Sequence, residues 1–257
     1  MTTDLATVRD AAEWAIRQGY LSPHQGAALS ALDAQLSEKQ REDFSQAWRA
    51  QGSPAAPVAP AQPLAIDPAI ILSVPYLSQR DSATAQGDRM CFASTCAMAV
   101  EWLKPGCLAG AGQPDDRYLA LLQQFGDTTD AQAHVRLIHS LGFPTARFGS
   151  NGAKDLLVAE LRAGRPVAVG WLHHGPVARP SGGGHWSLVV GWEPGPDGGT
   201  LVIHDPFGEA DLRSGGYAPK NSPANPDAGR FQRYSWRNWS QRWMVDGPGS
   251  GWFIKFN

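Results

Sequence analysis

A cysteine at the start of an apolar helix is the residue in this sequence best placed for chemistry. Cys91 opens the run CFASTCAMAVEWL, which is apolar almost all round and is followed by a Lys-Pro-Gly stop. Unpaired N–H groups and the positive end of the helix dipole stabilise a thiolate at that position, which favours a nucleophile. The alternative is a small buried side chain, because free cysteines are usually buried. Cys96, inside the helix, and Cys107, after it, fit that alternative.

A nucleophilic thiol needs a base and a group that orients the base, and two later residues offer these functions. His185 follows three glycines, which let the backbone pass close to a ligand, and opens the strand-like run HWSLVVGW. Asp205 ends the next strand-like run, LVIHD, although Asp-Pro is also a common turn opener. Symmetric pairing about the intervening turn sets Asp205 opposite Leu188, ~10 Å along the strand from His185. A bulge or an asymmetric turn must close that gap.

Gln79, in the segment VPYLSQ, is the fourth candidate. Its side-chain amide and the backbone N–H of Cys91 could together form an oxyanion hole for a tetrahedral intermediate. A single glutamine in a loop carries little information. The order Gln, Cys, His, Asp, with each residue in its expected structural setting, carries much more.

The segments VPYLSQ, MCFASTCAM, GGGHWSLVVGW and HDPFGE resemble the C39-like peptidase domain of the papain-like cysteine peptidases over roughly residues 70–210. The resemblance implies an α+β fold in which a central helix packs on an antiparallel sheet. It implies Cys91 as nucleophile, His185 as general base and acid, Asp205 as the residue that orients His185, and Gln79 as oxyanion donor. The predicted substrate contacts lie in or beside the segment that leads into the base: His174, Gly183, Gly184 and Trp186.

The elements around these residues are predicted as helices first and strands later. Helices are expected at 114–125, 130–141 and 152–163, and strands at 69–77, 167–172, 185–192, 201–203 and 252–256. The stretch 206–250 is predicted to be irregular, with aromatic residues interleaved with arginines. Three interpretations of this stretch stay open: a wall or lid of the substrate cleft, a loop pinned to the sheet by its tryptophans, or a surface for single-stranded nucleic acid.

The first 67 residues are predicted to form an appendage. Residues 1–50 contain two amphipathic patterns that predict a helical hairpin, and prolines recur every third residue between 54 and 63. That spacing predicts a polyproline II linker over 51–67, which leaves 68–257 as the peptidase domain. Cell-wall lytic enzymes and phage lysins often carry a small tethered module, because tethering raises the local substrate concentration.

Composition and charge exclude several other classes of protein. A formal net charge of −2 argues against a nucleic-acid binder held by bulk charge, and no apolar run approaches the ~20 residues of a membrane-spanning helix. Three cysteines are too few for a disulfide scaffold. His173, His174, His185, His204 and Asp205 fit no familiar zinc-ligand spacing, so neither a metal nor a cofactor is predicted.

The sequence therefore predicts a cysteine peptidase whose preferred substrate is a peptide bond in bacterial peptidoglycan, as in a phage-type or secreted lytic enzyme. The start of the sequence has no pattern of a secretory signal, so we expect synthesis in the cytoplasm and action at the wall after release or within a virion. Two alternatives stay open: a protease that processes a leader or partner protein, and a non-enzymatic binding module on the same scaffold. A monomer is favoured, but the sequence does not determine the oligomeric state.

Overall fold

A computed structural model of the chain describes residues 37–40, 43 and 68–257. The predicted helical hairpin and proline-rich linker lie outside the described residues, except that residues 38–40 and 43 are helical. The contacts divide the chain into two units, Met1–Ala65 and Ile66–Asn257, and every predicted site residue belongs to the second unit. The division into module, linker and peptidase domain stays a prediction.

Five α-helices occur within 68–257, and they lie mostly in the first half of that unit. Their bounds are Cys91–Leu103 (α1), Pro114–Leu122 (α2), Ala131–Ser140 (α3), Lys154–Arg162 (α4) and Trp236–Trp243 (α5). Two short 3₁₀ helices, Gln79–Asp81 and Gly87–Arg89, precede α1. The predicted helices at 114–125, 130–141 and 152–163 are therefore confirmed as α2, α3 and α4. None of the helices in the described residues is long and apolar enough to cross a membrane.

The strands form one large antiparallel sheet and a separate two-stranded ribbon. Their bounds are Ile70–Ile71 (β1), Arg147–Gly152 (β2), Val167–Trp171 (β3), His185–Glu193 (β4), Thr200–His204 (β5), Gly208–Ala210 (β6), Tyr217–Lys220 (β7), Gln232–Ser235 (β8) and Gly251–Lys255 (β9). The large sheet has the order β2-β9-β3-β4-β5-β8, with β1 paired to β4, while β6 pairs with β7. The predicted α+β fold with an antiparallel sheet is confirmed.

Helices cover both faces of this sheet, so the core has two layers. The central helix α1 is buried from Phe92 to Val100 and packs on the face that presents Leu188 and Val190. Helices α4 and α5 cover the other face, where Leu157 and Trp239 are fully buried. The sheet and α1 together hold His185 and Cys91, the first residues of β4 and α1.

The structure corrects three parts of the sequence prediction. The strand expected at 69–77 is limited to Ile70–Ile71, and the edge strand β2 was not predicted because its sequence, RFGSNG, is poor in strand-forming residues. The stretch 206–250 is also not irregular, since it contains β6, β7, β8 and α5. The helix α5 has tryptophans at positions 236, 239 and 243, and this spacing of three and four residues is the helical signal that was missed.

Candidate active site

Cys91 is the first residue of α1, as predicted. The N-cap residue, Met90, provides no side-chain cap, so the partial positive charge of the first-turn amides lies beside the thiol. Cys91 is half-buried, Cys96 is buried within the helix, and all three cysteines are free. The local structure therefore favours ionisation at Cys91 alone.

A β-bulge brings Asp205 to the same face of the sheet as His185. Next to the turn, Gly191 pairs with Val202, and an unbroken ladder would set Asp205 opposite Leu188. Val190 has no pairing partner on β5, and on the far side of this residue Leu188 pairs with His204. Continuation of that register sets Asp205 opposite Ser187, two residues from His185 and on its face, because side chains alternate along a strand. The bulge that the sequence argument required is present.

The Asp205 carboxylate is fully buried, and both of its oxygens accept hydrogen bonds. Oδ1 accepts from Nε2 of His185 at 2.8 Å and from the backbone N–H of Phe207 at 2.9 Å. Since Nε2 is occupied, Nδ1 is the ring nitrogen left for the Cys91 thiol, which lies close enough to His185 for their charges to interact. The three predicted residues therefore form one connected chain of side chains.

The electrostatics of this chain favour a thiolate–imidazolium pair. Burial alone would raise the pKa of the Cys91 thiol, but the charge of His185 and hydrogen bonds from His185 and the Trp186 amide lower it overall. Burial alone would lower the pKa of His185, whereas the charges of Asp205 and Cys91 raise it. Each partner thus stabilises the charged form of the other.

Gln79 lies beside this chain, and neither of its side-chain polar atoms is hydrogen bonded to Cys91. It is buried in the first 3₁₀ helix, and its backbone N–H donates to the carbonyl of Pro206 at 3.0 Å, next to Asp205. Its Nε2 donates to the carbonyl of Gly87 at 2.7 Å, and its Oε1 has no hydrogen-bond partner. The amide nitrogen has two protons and uses one for Gly87, so the second is free for a ligand.

An open cleft of about 330 Å³ begins at Cys91. Of the predicted substrate contacts, Gly183, Gly184 and Trp186 line it. His174 does not, because it lies in a backbone bridge with Ser181 that closes the preceding loop. Two of the three large apolar side chains exposed in the described residues also line the cleft: Val245, 48% exposed, and Trp252, 52% exposed.

An aromatic stack fixes the relative position of α1 and β4. Phe92 follows Cys91 in the chain, and Trp186 follows His185. The centroid of the Phe92 ring lies 3.6 Å from that of Trp186 and 3.7 Å from that of His134 on α3. Gly170 on β3 pairs with Trp186, and a Cβ atom there would lie 2.9 Å from the indole. The missing side chain at Gly170 therefore leaves the space that the indole occupies.

A backbone clamp around Asp205 was not predicted. The N–H of Asp205 donates to the Gly229 carbonyl at 2.8 Å, and the Tyr76 hydroxyl donates to the Asp205 carbonyl at 2.8 Å. Asn221 joins these segments, since Nδ2 donates to Pro206 and Oδ1 accepts from Gly229. A lone glycine and asparagine in a Gly- and Asn-rich stretch carry no signal of this role.

Arg242 on α5 was also missed as an organising residue. Its buried guanidinium donates to four backbone carbonyls, those of Leu212 at 2.9 Å, Leu172 at 3.1 Å, His174 at 3.1 Å and Gly175 at 2.7 Å. The same helix buries Trp239 and Trp243 against the sheet. Of the interpretations left open for residues 206–250, these contacts agree with a segment pinned by its tryptophans, and the part from Arg242 to Ser250 also agrees with a wall of the cleft.

Two further histidines near the site, His204 and His173, have lowered pKa values. His204 donates from Nε2 to the Val74 carbonyl and accepts at Nδ1 from the Phe231 N–H, and burial lowers its pKa to about 4. His173 lies 5.4 Å from His185 between ring centroids, and burial, followed by the charge of His185, lowers its pKa to about 3. His204 is therefore structural, as predicted. The described part of the chain contains no group of three His, Cys, Asp or Glu side chains placed to hold a metal ion.

The fold is that of a papain-like cysteine peptidase, and comparison with known proteins gives the family. The model of the family described as "Papain-like cysteine protease AvrRpt2" matches residues 68–217, more than half of the chain. The chain belongs to this family of cysteine peptidases. This confirms the predicted class and gives no support to a binding module without activity.

A solved structure and the curated proteins complete the comparison. A chain from Bacillus anthracis described as a C39-like peptidase is 14% identical, with a TM-score of 0.42, over 74% of this chain and 98% of that chain. No curated protein matches the sequence.

Proposed function

We propose that this peptidase acts through Cys91, His185 and Asp205, with Gln79 as an oxyanion donor. The observation that carries the proposal is the 2.8 Å hydrogen bond between His185 and the buried Asp205, on a ring whose charge also acts on the Cys91 thiol. A nucleophile, a base and a residue that orients the base are the three parts that covalent catalysis at a thiol requires.

In the proposed mechanism the Cys91 thiolate attacks the carbonyl carbon of a substrate peptide bond. The carbonyl oxygen becomes an oxyanion, which the Cys91 backbone N–H and the free amide proton of Gln79 stabilise. Protonated His185 gives its proton to the leaving amine, and a thioester remains on the sulfur. His185 then removes a proton from water, the resulting hydroxide attacks the thioester, and the acid product leaves.

The substrate we favour is a polypeptide with a large apolar side chain near the cleaved bond. Trp186, Val245 and Trp252 form an apolar wall beside Cys91, and a wall of this kind binds an apolar side chain by removing its surface from water. The family is described as a protease, which supports a protein as substrate.

Peptidoglycan is the second candidate. The sequence pattern of a helical module followed by a proline-spaced linker favours an insoluble, polymeric substrate, because a tether holds the catalytic domain near many equivalent bonds. In that case the enzyme would act at the bacterial wall, after release or as part of a virion. A protein-processing enzyme would not require this location.

Mass spectrometry of cleavage products tests both the mechanism and the substrate. The full chain is incubated with a library of peptides from a digested proteome and, separately, with purified peptidoglycan. New amine termini produced by the wild type but not by Cys91→Ala support the proposal, and the substrate that yields them identifies the class. Cys107→Ala is the matched control, since this thiol lies outside the site and should leave cleavage unchanged. Undiminished cleavage by Cys91→Ala would refute the mechanism.

A further inference from the structure

We propose that Tyr217 is a positioning residue of the peptidase, which acts through Asp205. Its hydroxyl donates to Oδ2 of Asp205 at 3.2 Å, while Oδ1 of the same carboxylate accepts from His185 and from the Phe207 amide. This inference rests on the proposed triad and adds a fourth residue to it. Tyr217 lies on β7, within residues 206–250, a stretch for which no catalytic residue was predicted.

The Tyr217 hydroxyl is the hydrogen-bond donor to Oδ2 of Asp205, and the Asp205 side chain is completely buried. A charged oxygen that is buried without a donor is costly, so the carboxylate is held in the rotamer that keeps Oδ2 on Tyr217 and Oδ1 on His185. Burial and then the charge of Asp205 raise the pKa of Tyr217, so the hydroxyl keeps its proton and serves as the donor.

The tyrosine ring packs beside the imidazole as well. Its centroid lies 5.4 Å from that of His185 in an edge-on arrangement, 5.7 Å from that of His173 and 4.8 Å from that of Phe207. These ring contacts persist in Tyr217→Phe, which removes the hydroxyl alone. The variant therefore separates the hydrogen bond from the packing.

The expected effect of Tyr217→Phe has a definite sign. Without the hydroxyl, Oδ2 of Asp205 loses its donor, and the carboxylate is no longer held in the rotamer that orients His185. A less well oriented imidazolium transfers its proton to the leaving amine less effectively and stabilises the Cys91 thiolate less, while the less neutralised charge of Asp205 opposes the thiolate. We therefore expect kcat to fall by roughly three- to tenfold with little change in KM, and Cys91 to ionise at higher pH than in the wild type.

Other titratable groups also lie close to Asp205 and Tyr217, and the substitution leaves them unchanged. They are Cys91 on α1, His173 in the loop after β3, Tyr76 before the first 3₁₀ helix, Tyr234 on β8 and Arg242 on α5.

Tyr234→Phe is the matched control. Tyr234 is a buried tyrosine of the same stretch, and its hydroxyl accepts from the Ala210 N–H at 2.8 Å without touching the triad. Tyr234→Phe removes one buried hydrogen bond, as Tyr217→Phe does, so the two variants should have similar melting temperatures. Only Tyr217→Phe should change the chemistry of Cys91.

The test is the pH dependence of Cys91 alkylation by iodoacetamide, followed on the Cys91 peptide by mass spectrometry in the full chain. A higher midpoint in Tyr217→Phe than in both the wild type and Tyr234→Phe supports the proposal. An unmoved or lowered midpoint overturns it. As a second measurement, Tyr217→Phe should have no further effect in an Asp205→Asn background, and an undiminished effect there would also overturn a role through Asp205.

This readout distinguishes failure of the inference from failure of the proposed function. If wild-type Cys91 shows no ionisation below the ordinary thiol pKa of 9.0, the proposed triad itself is wrong. If the wild type shows it and Tyr217→Phe leaves it unchanged, only the role of Tyr217 is wrong.

Discussion

At the scale of single residues, the site depends on where Asp205 is held as much as on its charge. Tyr76, Asn221 and Gly229 hold its backbone, and Tyr217 and Phe207 hold its carboxylate. The sequence predicted the reacting side chains because cysteine, histidine and aspartate have distinctive chemistry. It did not predict the residues that hold them, because backbone contacts can be made by almost any residue type.

We expect Gly229→Ala to inactivate the enzyme without changing any charged group. A Cβ atom at this position would lie 1.8 Å from the carbonyl oxygen of Asp205, so the backbone on one side must move. Movement of Asp205 misaligns His185, and we expect kcat/KM to fall by about 100-fold or more, since misplacement by about 1 Å can have that effect. The free energy of unfolding should fall by about 1–3 kcal/mol because the site is overpacked.

Gly195→Ala is the control for this substitution. Gly195 has an extended backbone, and its added Cβ would lie 3.9 Å from the nearest atom outside its chain neighbours, so alanine fits there. Steady-state kinetics and urea unfolding of both variants give the comparison. Wild-type activity in Gly229→Ala would show that Asp205 need not be held in its present position.

At the scale of secondary-structure elements, the hairpin β4–β5 gives the clearest comparison between sequence and structure. The turn, both strands and the need for an irregularity were predicted from the sequence, since each follows from local pattern. The position of the bulge at Val190 was not, because a bulge depends on how the strands pair and leaves no mark in the alternation of buried residues. The edge strand β2 was missed for a related reason, since it is formed by pairing with β9.

The contacts of α5 predict that Arg242→Lys will destabilise the fold. A lysine ammonium has three donors on a single nitrogen, whereas the planar guanidinium reaches four carbonyls in two separate segments, residues 172–175 and Leu212. At least one buried carbonyl would lose its partner, which costs about 1–3 kcal/mol. Urea unfolding should therefore show a lower free energy of unfolding, with activity lost as the loop at 172–175 loosens.

Arg237→Lys, on the same helix, is the matched control. Arg237 is largely exposed and lies 3.8 Å from Asp197 in a surface ion pair, so its replacement should change stability by less than about 0.5 kcal/mol. Equal stabilities of the two variants would contradict the role given to Arg242.

At the scale of the whole molecule, buried neutral histidines make stability depend on pH. His134 and His204 are completely buried, and burial lowers the pKa of each to about 4 from an ordinary value of 6.5. The unfolded chain binds more protons between these values, so stability is full above about pH 6.5 and is lost as pH falls toward 4. The loss should be on the order of 3 kcal/mol for each histidine.

Urea unfolding measured across this range checks the prediction, with His134→Gln as the variant. The slope of unfolding free energy against pH reports how many more protons the unfolded chain binds than the folded one. Removal of His134 should reduce that difference by up to about one proton. A slope identical to that of the wild type would mean that His134 is not held neutral in the folded protein.

The architecture of residues 68–257 could be predicted in outline because its helices and central strands have strong periodic patterns. The stretch 206–250 could not, since its short strands and α5 are stabilised mainly by burial of Trp239 and Trp243 against the sheet. The reactive residues of the proposed site therefore lie in the part that could be predicted, and the residues that support them come largely from the stretch that could not.

The most direct test of the central claim is a pH titration of the Cys91 thiolate by its ultraviolet absorbance, taken as the difference between wild type and Cys91→Ser. The account predicts that the thiolate appears below the ordinary thiol pKa of 9.0. In His185→Ala the midpoint should rise above that value, because burial then acts without a neighbouring positive charge. A wild-type midpoint at or above 9.0, or one that His185→Ala leaves in place, would contradict the claim that Cys91 and His185 form a catalytic pair.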